Sequence, residues 1–146
     1  MATPTNIPSN KQKARILVVD DEYDVAITLK TILEEEKEEG SNNKQFEVDV
    51  FNDPKLALSN FKAGKYDLLL LDILMPKMNG FELCQQLKNI DDKVKVCFIT
   101  AYEVYYHALR EMFPTMEVDC FIAKPIGKKE LVSRIKEELK SNVSFI

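Results

Sequence analysis

The stretch Leu68-Leu69-Leu70-Leu71-Asp72-Ile73-Leu74-Met75-Pro76 decides how the chain folds. Its four leucines are apolar on both faces of an extended strand, the pattern of a central parallel strand covered by helices on either side. Outward from it, short apolar β-type runs alternate with amphipathic helical stretches from Arg15 onward, the signature of a parallel α/β sheet. Upstream, Ile16-Leu17-Val18-Val19 reads as the first strand, followed by a helix with Val25, Leu29, Ile32 and Leu33 on one face. Phe46 to Val50 alternates apolar residues with Glu47 and Asp49, as suits an edge strand. Asp53-Pro54 supplies an N-cap and a first-turn proline for a helix that turns Ala57, Leu58 and Phe61 inward and stops at Gly64. Downstream, a helix from about Gly80 presents Leu83, Leu87 and Ile90, and Val94 to Ile99 is the fourth strand. Its helix is expected to bury Tyr105, Leu109 and Met112. Val118 to Ile122 is the fifth strand, and the last helix carries Leu131, Ile135 and Leu139 on one stripe.

The 146 residues suit one domain, with no room for a second output domain. We delimit it as residues 14–141, with residues 1–13, which lack periodicity, as an N-terminal tail and residues 142–146 as a short C-terminal one. Between the first helix and the second strand, Glu34 to Gln45 carries an acidic block and then Gly-Ser-Asn-Asn, and is expected to prolong the helix before looping. Hydrophobic residues make up 45% and charged residues 30%, a soluble globular mix, and no apolar run approaches the roughly 20 residues of a spanning helix. The N-terminus lacks the apolar stretch of a secretory signal, so the expected address is cytoplasmic. A net charge of −4 lacks the basic stripe of a nucleic-acid binder, so neither DNA nor membrane is an expected partner. Cys84, Cys97 and Cys120 are odd in number and widely spaced among apolar neighbours, and read as reduced core residues instead of a disulfide or metal framework.

In an open parallel sheet, ligands bind beyond the carboxyl ends of the strands. Strand one ends in Asp20-Asp21, strand three in Asp72, strand four in Thr100 and strand five in Lys124. Singly, each has a dull explanation: Asp20, Asp21 or Thr100 as a helix cap, Lys124 as a surface charge. Together, three carboxylates converging on one cleft repel each other and invite a cation. Oxygen ligands without His or Cys select a hard ion, and Mg2+ fits best. The sole histidine, His107, reads as a partly exposed helix residue and not as a ligand.

These pieces occur in order: Val18-Val19-Asp20-Asp21-Glu22, Leu71 to Pro76 with Gly80, Thr100-Ala101, and Lys124-Pro125. The set resembles the receiver domain of two-component response regulators over about residues 14 to 141. The resemblance implies a flavodoxin-like five-stranded parallel sheet of order 2-1-3-4-5 with five helices on both faces. It implies Asp72 as the phosphorylated residue, and Mg2+ held by Asp21 directly, Asp20 through water, Asp72 and the backbone carbonyl of Leu74. Thr100 and Lys124 would contact the phosphoryl oxygens, and Phe121 takes the aromatic switch position. The partners implied are a sensor histidine kinase or phosphotransfer protein, and a downstream protein reading the face of helix four, strand five and helix five. A phosphorylation-dependent dimer is allowed for. Apart from its own phosphorylation and dephosphorylation, no enzyme activity is expected.

The chain departs from the commonest pattern in having Phe121 without a hydroxyl, bulky Leu74 and Tyr102 near the acceptor, and a long Glu34 to Gln45 loop. The competing magnesium-dependent phosphatase with an aspartyl nucleophile resembles a haloacid dehalogenase and needs a second Asp two residues after the first, where this chain has Leu74. A pure interaction module has no use for the five intact polar residues. A flavin site would need a phosphate-cradling loop in place of Asp20-Asp21-Glu22.

Overall fold

The computed structural model describes residues 13–101, 103–115, 118 and 120–141, with the side chains of residues 103–106 and 109 left aside. The elements run β1 (Ala14–Val19), α1 (Tyr23–Glu34), β2 (Phe46–Phe51), α2 (Pro54–Asn60), β3 (Leu68–Asp72), α3 (Gly80–Ile90), β4 (Lys95–Thr100), α4 (Glu103–Met112), β5 (Phe121–Ala123) and α5 (Lys128–Lys140). The strands form one sheet of order β2-β1-β3-β4-β5, and every pairing is parallel. This is the five-stranded flavodoxin-like arrangement that the sequence implied, with β3 at its centre.

Strand alternation divides the core in two. Ile16, Val18, Leu68, Leu70, Cys97, Ile99 and Ile122 face α1 and α5, meeting Ala26, Leu29, Leu33, Leu131 and Ile135. Leu17, Val19, Leu69, Leu71 and Phe98 face the other way, onto Ala57, Phe81, Leu83 and Leu87 of α2 and α3. The leucine run serves both layers, so all four leucines have no exposed surface. Each contributes about 1.5–3 kcal/mol of transfer free energy. Phe81 packs edge-on against Phe98 and Phe113, with ring centroids 4.7 and 5.7 Å apart.

Local signals account for the element ends. The Asp53 side chain accepts from the Lys55 amide, and Pro54 follows as the first helical residue of α2. Gly64 has φ of +81° beyond the end of α2, a conformation that glycine reaches without steric cost. The edge of β2 is closed by α1: Glu34 accepts from the Val48 amide at 2.9 Å, and Lys30 donates to the Val48 carbonyl at 2.7 Å.

Several expectations need correction. The helix does not continue through the acidic block. It ends at Glu34, and a tight antiparallel bridge between Lys37 and Lys44 follows. β5 begins at Phe121 instead of Val118, which is half-buried outside the strand. Ile90 and Met112, read as inward, are 43% and 67% exposed; the side chains of Tyr105 and Leu109 lie outside the described residues. Cys97 of β4 and Cys120, the residue before β5, read as reduced, are joined as a disulfide, while Cys84 is free and buried. Burial pushes the Cys84 thiol up to about 11, so it stays protonated and inert.

Candidate functional site

Parallel strands all deliver their carboxyl ends to one edge of the sheet, and that edge gathers the polar residues. β1 runs directly into Asp20, β3 ends on Asp72 and β4 on Thr100. Asp20, Asp72 and Thr100 are the buried polar or charged residues among those described, at 0%, 5% and 1% exposure. Asp21 is half-buried beside them, and the carboxylate oxygens of Asp20, Asp21 and Asp72 lie within 4.8 Å of one another. They adjoin a cleft of about 450 Å³ lined by Asp21, Asp72, Leu74, Thr100, Ala101 and Lys124. A larger open cleft of about 1140 Å³ lies at the opposite end of the strands, lined by Lys13, Tyr66, Asp67, Asp91 and Lys95 among others. Among the described residues, only the carboxyl-end edge brings three possible metal-ligating groups together.

Lys124 reaches in from the end of β5. Its ammonium donates to Asp20 Oδ2 at 2.8 Å and stands 3.7 Å from Asp72 Oδ2. Its amide donates to the Thr100 carbonyl at 2.9 Å, tying the β5 end to the β4 end, and its peptide bond to Pro125 is cis. The other Asp20 oxygen accepts from the Glu22 amide at 2.9 Å. Asp72 Oδ1 accepts from the Leu74 amide at 3.3 Å.

The electrostatics follow from this geometry. Burial and the neighbouring Asp20 charge push the Asp72 carboxyl up to about 7, with Asp21 adding to the rise and Lys124 and the Leu74 amide opposing it. Burial pulls the Lys124 ammonium down, but its hydrogen bond to Asp20 and the charges of Asp72, Asp20 and Glu22 outweigh it and hold the group above its ordinary value. Lys124 is thus a firmly charged cation balancing a cluster that carries surplus negative charge. An oxygen-only donor set, partly buried and short of positive charge, fits a hard divalent ion such as Mg2+.

The dull alternatives for Asp20, Asp21 and Lys124 do not describe the site. The N-cap of α1 is Glu22, with no side-chain cap, so neither Asp20 nor Asp21 takes that position. The Lys124 side chain is only 16% exposed, unlike a surface charge. Phe121 opens β5, half-buried against the α2 and α3 side of the core, and its carbonyl accepts from Arg134 of α5 at 2.8 Å. Leu74 is 39% exposed in the loop after β3. Tyr102 lies outside the described residues, and His107 is exposed on α4.

Sequence reasoning passed over the construction of the β3–α3 loop. Lys77 has φ of +73°. Asn79 and Glu82 form a reciprocal capping box, each side chain accepting from the other's amide at 2.9 Å. The signal was available as Asn79 followed three residues later by Glu82.

Comparison with known proteins gives one consistent picture. The response regulator receiver domain family matches residues 16–136. The transcriptional regulatory protein SpaR of Bacillus subtilis is 32% identical over 127 residues, which cover 87% of this chain and 52% of SpaR. The DNA-binding response regulator MtrA of Mycobacterium leprae is 32% identical, over 89% of this chain and 53% of MtrA. The chain therefore spans about half the length of these curated relatives. Among solved structures, a CheY-like receiver domain protein from Methanospirillum hungatei JF-1 is 28% identical with a TM-score of 0.70, covering 87% of this chain and 94% of that one. TrrA of Thermotoga maritima, solved in complex with Mg(2+)-BeF, is 33% identical with a TM-score of 0.67, covering 85% and 97%.

Proposed function

The chain belongs to the receiver domain family of two-component response regulators, and from that premise we propose that Asp72 is its phosphoacceptor. The observation that carries the assignment is the convergence of Asp72 with Asp20, Asp21 and Lys124 at the carboxyl edge of the central strand. One Asp72 carboxylate oxygen attacks the phosphorus of a phosphohistidine or an acyl phosphate. A P–O bond forms to Asp72, and the bond to the donor nitrogen or oxygen breaks with its electron pair leaving on the donor. Such a transfer needs little covalent assistance; positioning and charge stabilisation dominate. Lys124 and the Thr100 hydroxyl, both at the cleft, are the groups we assign to the phosphoryl oxygens. Asp20, Asp21, Asp72 and the Leu74 carbonyl would hold Mg2+, which supplies charge neutralisation for the transferring group.

Switching follows from the same contacts. A phosphoryl group on Asp72 gives the Thr100 hydroxyl a new acceptor and draws the loop after β4 inward, and Phe121 turns into the space vacated. The two packings differ in population according to how well each meets the phosphoryl group. We assign the readout to the face of α4, β5 and α5, and phosphoryl delivery to a histidine kinase or phosphotransfer protein. The domain itself, within residues 14–141, is assigned no direct nucleic-acid contact, given its chain's net charge of −4. Among the described residues no helix is long and apolar enough to cross a membrane, which accords with a cytoplasmic address.

The test is labelling with acetyl phosphate and Mg2+, read by intact mass. Wild type should gain one phosphoryl group, and Asp72→Asn or addition of chelator should abolish it. Lys124→Ala should retain the acceptor but lose phosphorylation-dependent partner binding. Labelling of Asp72→Asn at the wild-type rate would falsify the assignment.

A further inference from the structure

After β3 the chain loops through residues 73–79 and returns on itself, so that the start of α3 lies against the backbone of Asp72. The Gly80 amide donates to the Ile73 carbonyl at 2.8 Å. A Cβ built on Gly80 would stand 2.3 Å from the Asp72 carbonyl oxygen, 2.9 Å from Ile73 Cα and 3.0 Å from the Asp72 carbonyl carbon. All three are main-chain atoms, which cannot rotate aside as a side chain would. The other glycines differ: Gly40, Gly64 and Gly127 have nothing within 4 Å of such a Cβ. Gly80 is therefore required for space, at a position where its backbone is not left-handed.

The helix has no room to retreat. Phe81 and Leu83, the next core residues of α3, are fully buried, and the Asn79–Glu82 capping box ties off the helix start. On the far side, the Ile73 amide donates to the Ile99 carbonyl of β4 at 3.1 Å. A methyl group at residue 80 must therefore be taken up by the Asp72–Ile73 backbone. Restoring an ordinary carbon–oxygen contact of about 3.3 Å requires a displacement of about 1 Å, and the Asp72 carboxylate and the Leu74 amide and carbonyl ride on that segment.

We propose that Gly80 is a positioning residue for phosphoryl transfer: its missing side chain sets the depth at which Asp72 presents its carboxylate to Asp20, Asp21 and Lys124. The proposal rests on the reading of Asp72 as the phosphoacceptor. Misplacement of a reacting group by about 1 Å lowers rates by up to about 100-fold, and loss of outer support weakens metal binding by about tenfold or more.

The experiment compares wild type with Gly80→Ala, Gly127→Ala and Leu33→Ala. Gly127→Ala adds a methyl where there is space, and Leu33→Ala destabilises the distant core on the α1 side. Mg2+ affinity is measured by titration calorimetry and the labelling rate at saturating Mg2+ and acetyl phosphate, alongside the melting temperature. Gly80→Ala should bind Mg2+ about tenfold more weakly and label up to about 100-fold more slowly, while Gly127→Ala and the destabilised Leu33→Ala keep wild-type values of both. Wild-type affinity and rate in Gly80→Ala, or equal losses in Leu33→Ala, overturn the proposal. If Gly80→Ala does not fold, Asn79→Ala, which loosens the same helix start without adding bulk, must lose Mg2+ affinity relative to Leu33→Ala; equal affinities overturn the proposal. Labelling of Asp72→Asn like wild type instead overturns the phosphoacceptor reading on which it rests.

Discussion

In chelator, the stability of this domain should fall as pH rises through the range in which Asp72 ionises, and Asp72→Asn should remove that dependence. The Asp72 carboxyl is pushed up to about 7 by burial and by Asp20, against an ordinary value of 3.8. Between these values the folded chain keeps a proton that the unfolded chain has released. With more protons bound in the folded state, stability declines as pH rises, by up to about 1.4 kcal/mol per pH unit, and levels off above the folded value. From about pH 5 to about pH 7 the expected loss is about 2 kcal/mol, which corresponds to roughly 7 °C in melting temperature for a chain of this size. Asparagine carries no such proton, so the difference between the two melting curves reports Asp72 together with the Asp20 and Lys124 charges that interact with it. Saturating Mg2+ should restore stability near neutral pH in wild type, by about 2.7 kcal/mol when the ion stands at 100 times its dissociation constant. Parallel melting-temperature profiles for wild type and Asp72→Asn in chelator would refute the reasoning, because the carboxylates would then not be in repulsive contact.

Three further outcomes are expected. Lys77→Gly should raise stability by about 0.5 kcal/mol in denaturant unfolding, since the φ of +73° costs a lysine about 1 kcal/mol or more and glycine returns part of that as chain entropy. Glu34→Ala should lower stability by about 1–3 kcal/mol and promote self-association in light scattering, because it strips the acceptor from the Val48 amide on the β2 edge; an unchanged melt and scattering would show that water replaces the carboxylate there. Phosphorylated wild type should decay more slowly than a Leu74→Asn, Tyr102→Glu double variant, because Leu74 presents apolar bulk without a group to orient water; equal decay rates would rule out gating by these side chains.

The sheet and the site were legible for the same physical reason. A strand buried on both faces has no reason to carry a charge, so Leu68 to Leu71 announces a centre and Asp72 announces its end. The same contrast marked Asp20, Thr100 and Lys124. What escaped depended on register or on close approach, which spacing does not encode. Cys97 and Cys120 are 23 residues apart, and they meet because Phe98 is in register with Phe121 on the neighbouring strand. Gly80 reads as a helix start and as part of the motif that carries the resemblance, but the reason for a glycine there is the Asp72 carbonyl eight residues earlier, which the spacing does not reveal. The end of α1 was misjudged because Glu34 to Glu39 has good intrinsic helix formers, yet Glu34 is engaged by the Val48 amide, Lys30 and Lys44. Tertiary contacts to the edge strand override local propensity there.

Lys124 links the acidic cluster to the ends of both β4 and β5. Its ammonium donates to Asp20 at 2.8 Å and stands farther from Asp72, at 3.7 Å. Asp20 is fully buried, and a buried carboxylate without a partner costs several kcal/mol, so in the absence of a metal ion this lysine holds the cluster together. A cation on Asp20 and Asp21 would relieve Lys124 of that duty, and a phosphoryl group on Asp72 would offer it a stronger partner on the side it already approaches. Because the Lys124 amide is bonded to the Thr100 carbonyl, a shift of the lysine toward Asp72 acts on the end of β4 as well as on β5, the strand that carries Phe121. The lysine that neutralises Asp20 would thus carry the effect of a cation or a phosphoryl group at this cluster to both strand ends.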